Sequence, residues 1–182
     1  NASSGAAKNF TIGGVIPNLV LDNTSAGHTT NLNTTLVNYN NLAQDITINS
    51  GTTLNTSSAT FLFNGSSLVN EGTLTSNGAA SNFVFFLTTA PVTVSGAGAF
   101  TAPVTALAFQ SNAGVTLLNS NQIVANSVRV FNGNVSNANK LTVGNGGATT
   151  ATVQVGNTST PTPAGVFDAT PTYNPGTGGI VF

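Results

Sequence analysis

Val92-Thr-Val94 alternates apolar and hydroxyl side chains, and the same shape stands at Ile46-Thr-Ile48 before it and at Val115-Thr-Leu117 after it. With Val69 between them and Leu141-Thr-Val143 behind, the anchors fall at successive steps of 23, 23, 23 and 26 residues. A second ladder follows the first at a lag of 12 to 15 residues: Phe61-Leu-Phe63, Phe83-Val-Phe85, Leu107-Ala-Phe109, Val128-Arg-Val130 and Val153-Gln-Val155. A weaker third set, Leu54, Leu74, Phe100 and Ile123, lies between the two. A unit of this length is too small to bury its own apolar face, so a fixed period means that successive units stack and share one core. The expected fold is all-β, a parallel β-helix (β-solenoid) of about 23 residues per coil with three short strands per coil.

Within each run the period of two points apolar residues inward and Thr or Asn outward. The core ladder read in this way is Ile46, Ile48, Val69, Val92, Val94, Val115, Leu117, Leu141 and Val143. Asn64-Gly65, Asn77-Gly78, Asn132-Gly133 and Asn145-Gly146 mark corners, because Asn and Gly tolerate the positive φ that tight turns demand. Parallel neighbours lie about 4.8 Å apart, so equivalent side chains line up along the axis. Like charges in such a column repel, which accounts for a charged fraction of only 4%.

The composition excludes several classes. Forty per cent apolar residues with a formal charge of −1 is not the signature of a disordered chain. Three basic residues, Lys8, Arg129 and Lys140, cannot neutralise a phosphate backbone, so no nucleic acid partner is expected. No apolar run approaches the roughly 18 residues of a membrane span, and no membrane insertion is expected. Cysteine is absent, which removes disulfides and thiolate metal sites and leaves stacking to stabilise the fold. Methionine is absent even from position 1, so the sequence is expected to start after a removed targeting segment or inside a longer polypeptide.

Residues 1–182 read as one solenoid domain, with a longer surface loop around Asn23 to Thr35 to absorb the 27-residue spacing from Leu19 to Ile46. Residues 157–177 hold four of the seven prolines and read as a Pro/Gly-rich excursion before a last strand at Ile180, Val181 and Phe182. Neither terminus offers a polar cap, and an uncovered strand edge templates further strands. Ile180, Val181 and Phe182 are therefore expected to form the assembly end of a head-to-tail homopolymer, a contact between copies that does not close.

Several segments carry a family resemblance: Asn18-Leu-Val-Leu-Asp-Asn-Thr24, Ile46-Thr-Ile-Asn-Ser-Gly-Thr-Thr-Leu54, Asn70-Glu-Gly-Thr-Leu-Thr75, Leu141-Thr-Val-Gly-Asn-Gly-Gly147 and Pro171-Thr-Tyr-Asn-Pro-Gly-Thr-Gly-Gly179. Over nearly the whole chain they resemble the large secreted β-solenoid surface proteins of Bacteroidota. That resemblance implies export by the type IX system, an extracellular or cell-surface location, and a role as adhesin or surface fibre. The C-terminal sorting domain typical of those proteins is not visible in this sequence.

Parallel β-helices also host polysaccharide-cleaving sites, and glycoside hydrolysis normally needs two carboxylates flanking the bond. The acids are Asp22, Asp45, Glu71 and Asp168, and the first three stand about one coil apart but in different phases relative to their anchors. Solvated turn positions explain them better than a shared site, and Arg129 and Lys140 have no acidic cluster beside them, so no enzyme is expected. His28, the only histidine, has no companion for a metal site and reads as an exposed loop residue. No cofactor is expected. Tyr39 and Tyr173 are too many coils apart to share one sugar, so packing explains them. Asn-x-Ser/Thr sequons begin at Asn1, Asn9, Asn23, Asn33, Asn55, Asn64, Asn134 and Asn157, about as many as this composition yields by chance. Thr73-Leu-Thr75 is the clearest Thr-x-Thr run, and such runs do not recur at the coil period as a flat ice-binding face requires. The expectation is a structural extracellular fibre subunit or adhesin stalk whose partner is itself. A carbohydrate-binding adhesin module that takes surface glycans, a polysaccharide-degrading β-helix enzyme and an ice-binding solenoid stay open beside it.

Overall fold

A computed structural model describes residues 8–10, 18–22, 28–32, 36–38, 45–55, 60–63, 65–75, 82–85, 90–101, 104–156 and 165–182. The chain is a parallel β-solenoid with stacked coils of about 24 residues, and the described residues hold almost no helix. Each coil contributes a short strand to each of three ladders, which the chain visits in the order first, third, second. The first ladder is a 7-stranded sheet: Leu19–Leu21, Ile46–Ile48, Ser67–Asn70, Val92–Ser95, Val115–Leu117, Asn134–Ser136 and Val166–Phe167. The third begins as a 5-stranded sheet of Lys8–Phe10, His28–Leu32, Thr52–Asn55, Thr73–Thr75 and Ala99–Thr101.

The second ladder runs Leu36–Asn38, Thr60–Phe63, Asn82–Phe85 and Val104–Gln110 into a ten-residue strand, Ile123–Asn132. That strand passes through a corner without a turn. Its start, Ile123–Ala125, pairs with Leu141–Val143, and its later part, Ser127–Val130, pairs with Thr152–Val155. The second and third ladders therefore merge into a 9-stranded sheet at this level.

The register of the second ladder follows the sequence pattern residue for residue. Phe61 lies beside Phe83, Phe83 beside Leu107, Leu107 beside Val128 and Val128 beside Val153. Two residues on, Phe63 and Phe109 fill the interior and are 0% and 1% exposed. Leu54, Leu74 and Phe100 are likewise in register in the third ladder. Stacking like on like lets aromatic and branched side chains interdigitate along the axis, which is the shared core a single coil cannot make.

The first ladder departs from expectation at two places. Ile46 lies beside Leu68 and Thr47 beside Val69, so Leu68 is fully buried while Val69 is half-buried and faces outward. A one-residue slip exchanges the two faces of a strand, and here it also places Asn70 opposite Ile48. Leu141 and Val143 are buried, but in the third ladder beside Ile123 and Ala125. The place beside Val115 belongs to Val135. The coil is shortened there because its corner shrinks to Gly133, with φ 72°, directly between two strands. Ile46, Ile48, Val92, Val94, Val115 and Leu117 are buried in the first ladder.

Two loop expectations also change. His28–Leu32 is a strand of the third ladder, with His28 beside Thr52, so the stretch from Asn23 to Thr35 is not one continuous loop. Within residues 157–177, Val166–Phe167 pairs with Asn134–Val135 and Thr172–Tyr173 with Thr142–Val143, so residues 165–177 are part of the solenoid rather than an excursion. Pro171 and Pro175 fit this because they lie outside the strands, where no ladder hydrogen bond is lost. The expected corners at Asn64 and at Asn77-Gly78, and residues 157–164, lie outside the described residues.

Coils approach closely enough to exclude side chains at some corners. A Cβ on Gly96, whose φ is +105°, would lie 2.1 Å from the carbonyl oxygen of Asn70 in the coil below. The register makes a direct prediction: Val94→Asp and Val135→Asp should each cost more than about 4 kcal/mol by burying an unpaired charge, whereas Val69→Asp should cost less than about 1 kcal/mol. Thermal unfolding of the three variants checks this, and a Val69 variant as damaged as the other two would overturn the register.

Candidate functional site

The polar side chains that the structure engages most fully sit at the corners, where they connect one coil to the next. Asp45 lies at the entry to the first ladder. Its Oδ1 accepts from the Ser66 N–H at 3.2 Å, the Ser66 hydroxyl at 3.0 Å and the Ser67 N–H at 2.9 Å. Its own N–H donates to Asn18 Oδ1 at 3.1 Å, so one residue ties the coils on both sides. A β-strand cannot satisfy the N–H groups of the corner that precedes it, and a carboxylate placed there does so with charge-assisted bonds.

At the exit from the first ladder the same device recurs with acids and amides alike. Glu71 Oε2 accepts from the Ala97 N–H at 3.1 Å, and Asp168 Oδ1 from the Ala138 N–H at 3.2 Å. Asn70 Nδ2 donates to the Ala99 carbonyl at 3.0 Å, Asn121 Nδ2 to the Ala97 carbonyl at 2.7 Å and Asn137 Nδ2 to the Leu117 carbonyl at 3.1 Å. Asn137 reaches its acceptor from a left-handed backbone, φ 60° and ψ 41°, which Asn tolerates better than most residues. These bonds span 20 to 30 residues in sequence, one coil or slightly more.

The acids do not gather into one column. Asp45 precedes its strand and Glu71 follows its own, so they stand at opposite ends of the first ladder. Asp22 follows Leu21, which pairs with Ile48, and Glu71 donates its N–H to the Ile48 carbonyl; two coils, roughly 10 Å, therefore separate Asp22 from Glu71 at the same corner. Among the described residues no group of three or more His, Cys, Asp or Glu side chains comes together. Arg129 faces outward on the second ladder between Ala108 and Gln154. Lys140 ends a short 3-10 turn, Ala138–Lys140. Tyr39 lies outside the described residues.

Behind the corners lie buried polar atoms. Asn70 and Asn119 are 0% exposed, and each uses its amide nitrogen while Oδ1 has no partner. The Thr-bearing face of the third ladder aligns Thr53 with Thr73, the buried Asn55 with Thr75, and Thr75 with Thr101.

The last described coil has a different surface. Val166, Tyr173, Val181 and Phe182 are 49%, 38%, 55% and 77% exposed. Tyr173 and Phe182 meet edge to face with ring centroids 5.6 Å apart. Phe167, Asp168, Ala169, Thr170, Pro171 and Tyr173 line a shallow depression of about 260 Å³ beside them. Among the described residues no helix is long and apolar enough to cross a membrane.

Comparison with protein-family models, curated proteins and solved structures returned no significant match. The fold and its corners thus define the class, a parallel β-solenoid with polar side chains bracketing adjacent coils, and they do so from the chain's own geometry.

The bracket role of the acids is testable. Asp45→Ala leaves two N–H groups and a hydroxyl without their acceptor and should lower stability by about 2 kcal/mol. Asp45→Asn retains an acceptor oxygen and should cost about half as much. Denaturant or thermal unfolding measures both, and an alanine variant as stable as the parent chain would remove the bracket assignment.

Proposed function

We propose that this chain is a structural, non-catalytic rod of the extracellular space, a fibre subunit or the stalk segment of a surface adhesin. The observation that carries this reading is the use of the acids: Asp45, Glu71 and Asp168 each accept backbone N–H groups from a neighbouring coil. A carboxylate committed in this way stiffens the stack and is poorly placed to act as a general acid or base, which must reach the proton it transfers. Stacked backbone bonds, an apolar interior and bracketed corners give mechanical continuity along the axis and need no cofactor. The sequence resemblance to secreted surface solenoids supplies the location and the export route that go with the reading.

End-to-end stacking completes it. On the last described coil, Val166–Phe167 and Thr172–Tyr173 are the edge strands of their sheets, and Val166, Tyr173, Val181 and Phe182 put apolar surface there. In the fibre this surface is covered by a further coil, whether of another copy or of the same polypeptide. Negative-stain microscopy of the purified chain, with its intact mass measured alongside, should show rods longer than one copy. Phe182→Asp should shorten them and leave the monomer folded. Particles of single-copy length at every concentration would reject self-assembly. Loss of a polysaccharide-hydrolysing activity on Asp45→Asn or Glu71→Gln would reject the non-catalytic reading itself.

A second reading rests on the aligned Thr53, Thr73, Thr75 and Thr101 of the third ladder. Thr53 and Thr73 are one neighbouring pair and Thr75 and Thr101 another, about 4.8 Å apart along the axis in two columns roughly 6.7 Å apart, with Ala99 and Asn55 interrupting them, a small hydroxyl-bearing patch for an ordered water layer. Thermal hysteresis that disappears in Thr73→Lys would establish it, and its absence in the parent chain would dismiss it.

A further inference from the structure

The corner after Leu141–Val143 brings together the parts of a reaction that needs only water. Asn145 is exposed and is followed by Gly146, whose lack of a side chain leaves its backbone nitrogen sterically open to the Asn145 side chain. Three contacts hold the corner. The Gly146 N–H donates to the Asn174 carbonyl at 2.9 Å, the Gly147 N–H donates to Asn145 Oδ1 at 3.0 Å, and the Gly178 N–H donates to the Gly147 carbonyl at 3.3 Å. Two of the three come from the coil of residues 165–182. Gly146 has φ +74°, and Gly176 passes so near that a Cβ on it would lie 2.3 Å from the Gly146 carbonyl oxygen. Asn132-Gly133 has the same dipeptide but sits between two paired strands, with Asn132 Nδ2 bonded to Asn112 Oδ1.

We propose that Asn145-Gly146 is a self-modification site gated by the coil above it: Asn145 deamidates only when that coil lifts and frees the Gly146 nitrogen. The Gly146 nitrogen loses its proton to solvent base and attacks Asn145 Cγ. The new N–Cγ bond forms, the Cγ–Nδ2 bond breaks, and the leaving nitrogen takes a proton and departs as ammonia. Water then opens the five-membered succinimide at either carbonyl, giving aspartate or isoaspartate, with no change of oxidation state. While the coil is seated, the Gly146 N–H is held by Asn174 and the Asn145 side chain is turned toward Gly147, so neither reactant is free. Isoaspartate routes the chain through the side chain and adds one carbon to the backbone. Gly146 then no longer meets the Asn174 carbonyl, and the opening becomes permanent. The site thus converts a transient opening of this coil into a covalent record.

The test compares the folded protein with a synthetic peptide of residues 141–151 in one buffer at neutral pH, following Asn145 by peptide mapping and Gly146 by hydrogen exchange. Deamidation should be at least about tenfold slower in the folded protein. The slowing should match the exchange protection of the Gly146 amide within about threefold, because both events wait for the same local opening. Gly176→Ala, which pries the coils apart, should accelerate both in the same proportion; if that variant does not fold, the comparison within the parent chain decides alone. Folded protein deamidating as fast as the peptide would overturn the proposal. So would an Asn145 rate that bears no relation to the exchange of Gly146.

Discussion

Parallel pairing of each coil with the next is the constraint on which everything else in this molecule depends. Every strand must satisfy its backbone N–H and C=O groups across a gap of about 4.8 Å, without the intervening helices that parallel sheets usually rely on. Side chains at equivalent positions are then forced into columns. A column of phenylalanine and valine gains packing at every step, as from Phe109 to Val130, while a column of like charges would repel. The low charge of the chain and the recurrence of the same apolar residues follow from that geometry.

Corners are where such a stack is weakest, since their backbone groups lie outside the ladders. The chain meets this with two devices. Glycine lets neighbouring coils approach where a Cβ would collide, as at Gly96 above Asn70. Side-chain amides and carboxylates reach across to the adjacent coil's backbone, as at Asp45, Glu71, Asn121, Asn137 and Asp168. Each such bond contributes about 1 kcal/mol, more where the acceptor is ionised. Because stability in a solenoid is close to a sum of nearest-neighbour terms, a bracket at nearly every interface matters more than a strong one at a single interface. Asp45, Glu71 and Asp168, three of the four acids in the chain, are placed at these interfaces.

The later end of the described stack exposes apolar surface. Its coil is held to the rest by backbone bonds at Gly146, Ala151, Val166 and Asn174, and it exposes aromatic and branched side chains. A surface of that kind is stabilised when another coil covers it. The same coil guards the Asn145-Gly146 corner, so covering the end and preserving that corner are favoured by the same contact.

Period and residue type in the sequence were enough to determine the solenoid, the coil length and the whole register of the second ladder, where Phe, Leu and Val recur in every coil at nearly constant steps. Period alone did not determine the first ladder. Leu68 and Val69 are adjacent and both apolar, and only pairing with Ile46 and Val94 decides which of them is buried. Leu141-Thr-Val143 has the form of a first-ladder strand, yet the one-residue corner at Gly133 brings Val135 into that place and moves Leu141 to the third ladder. His28–Leu32 was illegible for the opposite reason, since a strand rich in Thr and Asn lacks the apolar alternation that marks the others. The brackets were hidden because their partners lie 20 to 30 residues away and are backbone atoms, which leave no mark on residue identity. Residue chemistry fixed which side chains this chain has to stack; coil lengths, set by how tightly each corner closes in three dimensions, decided which of them meet.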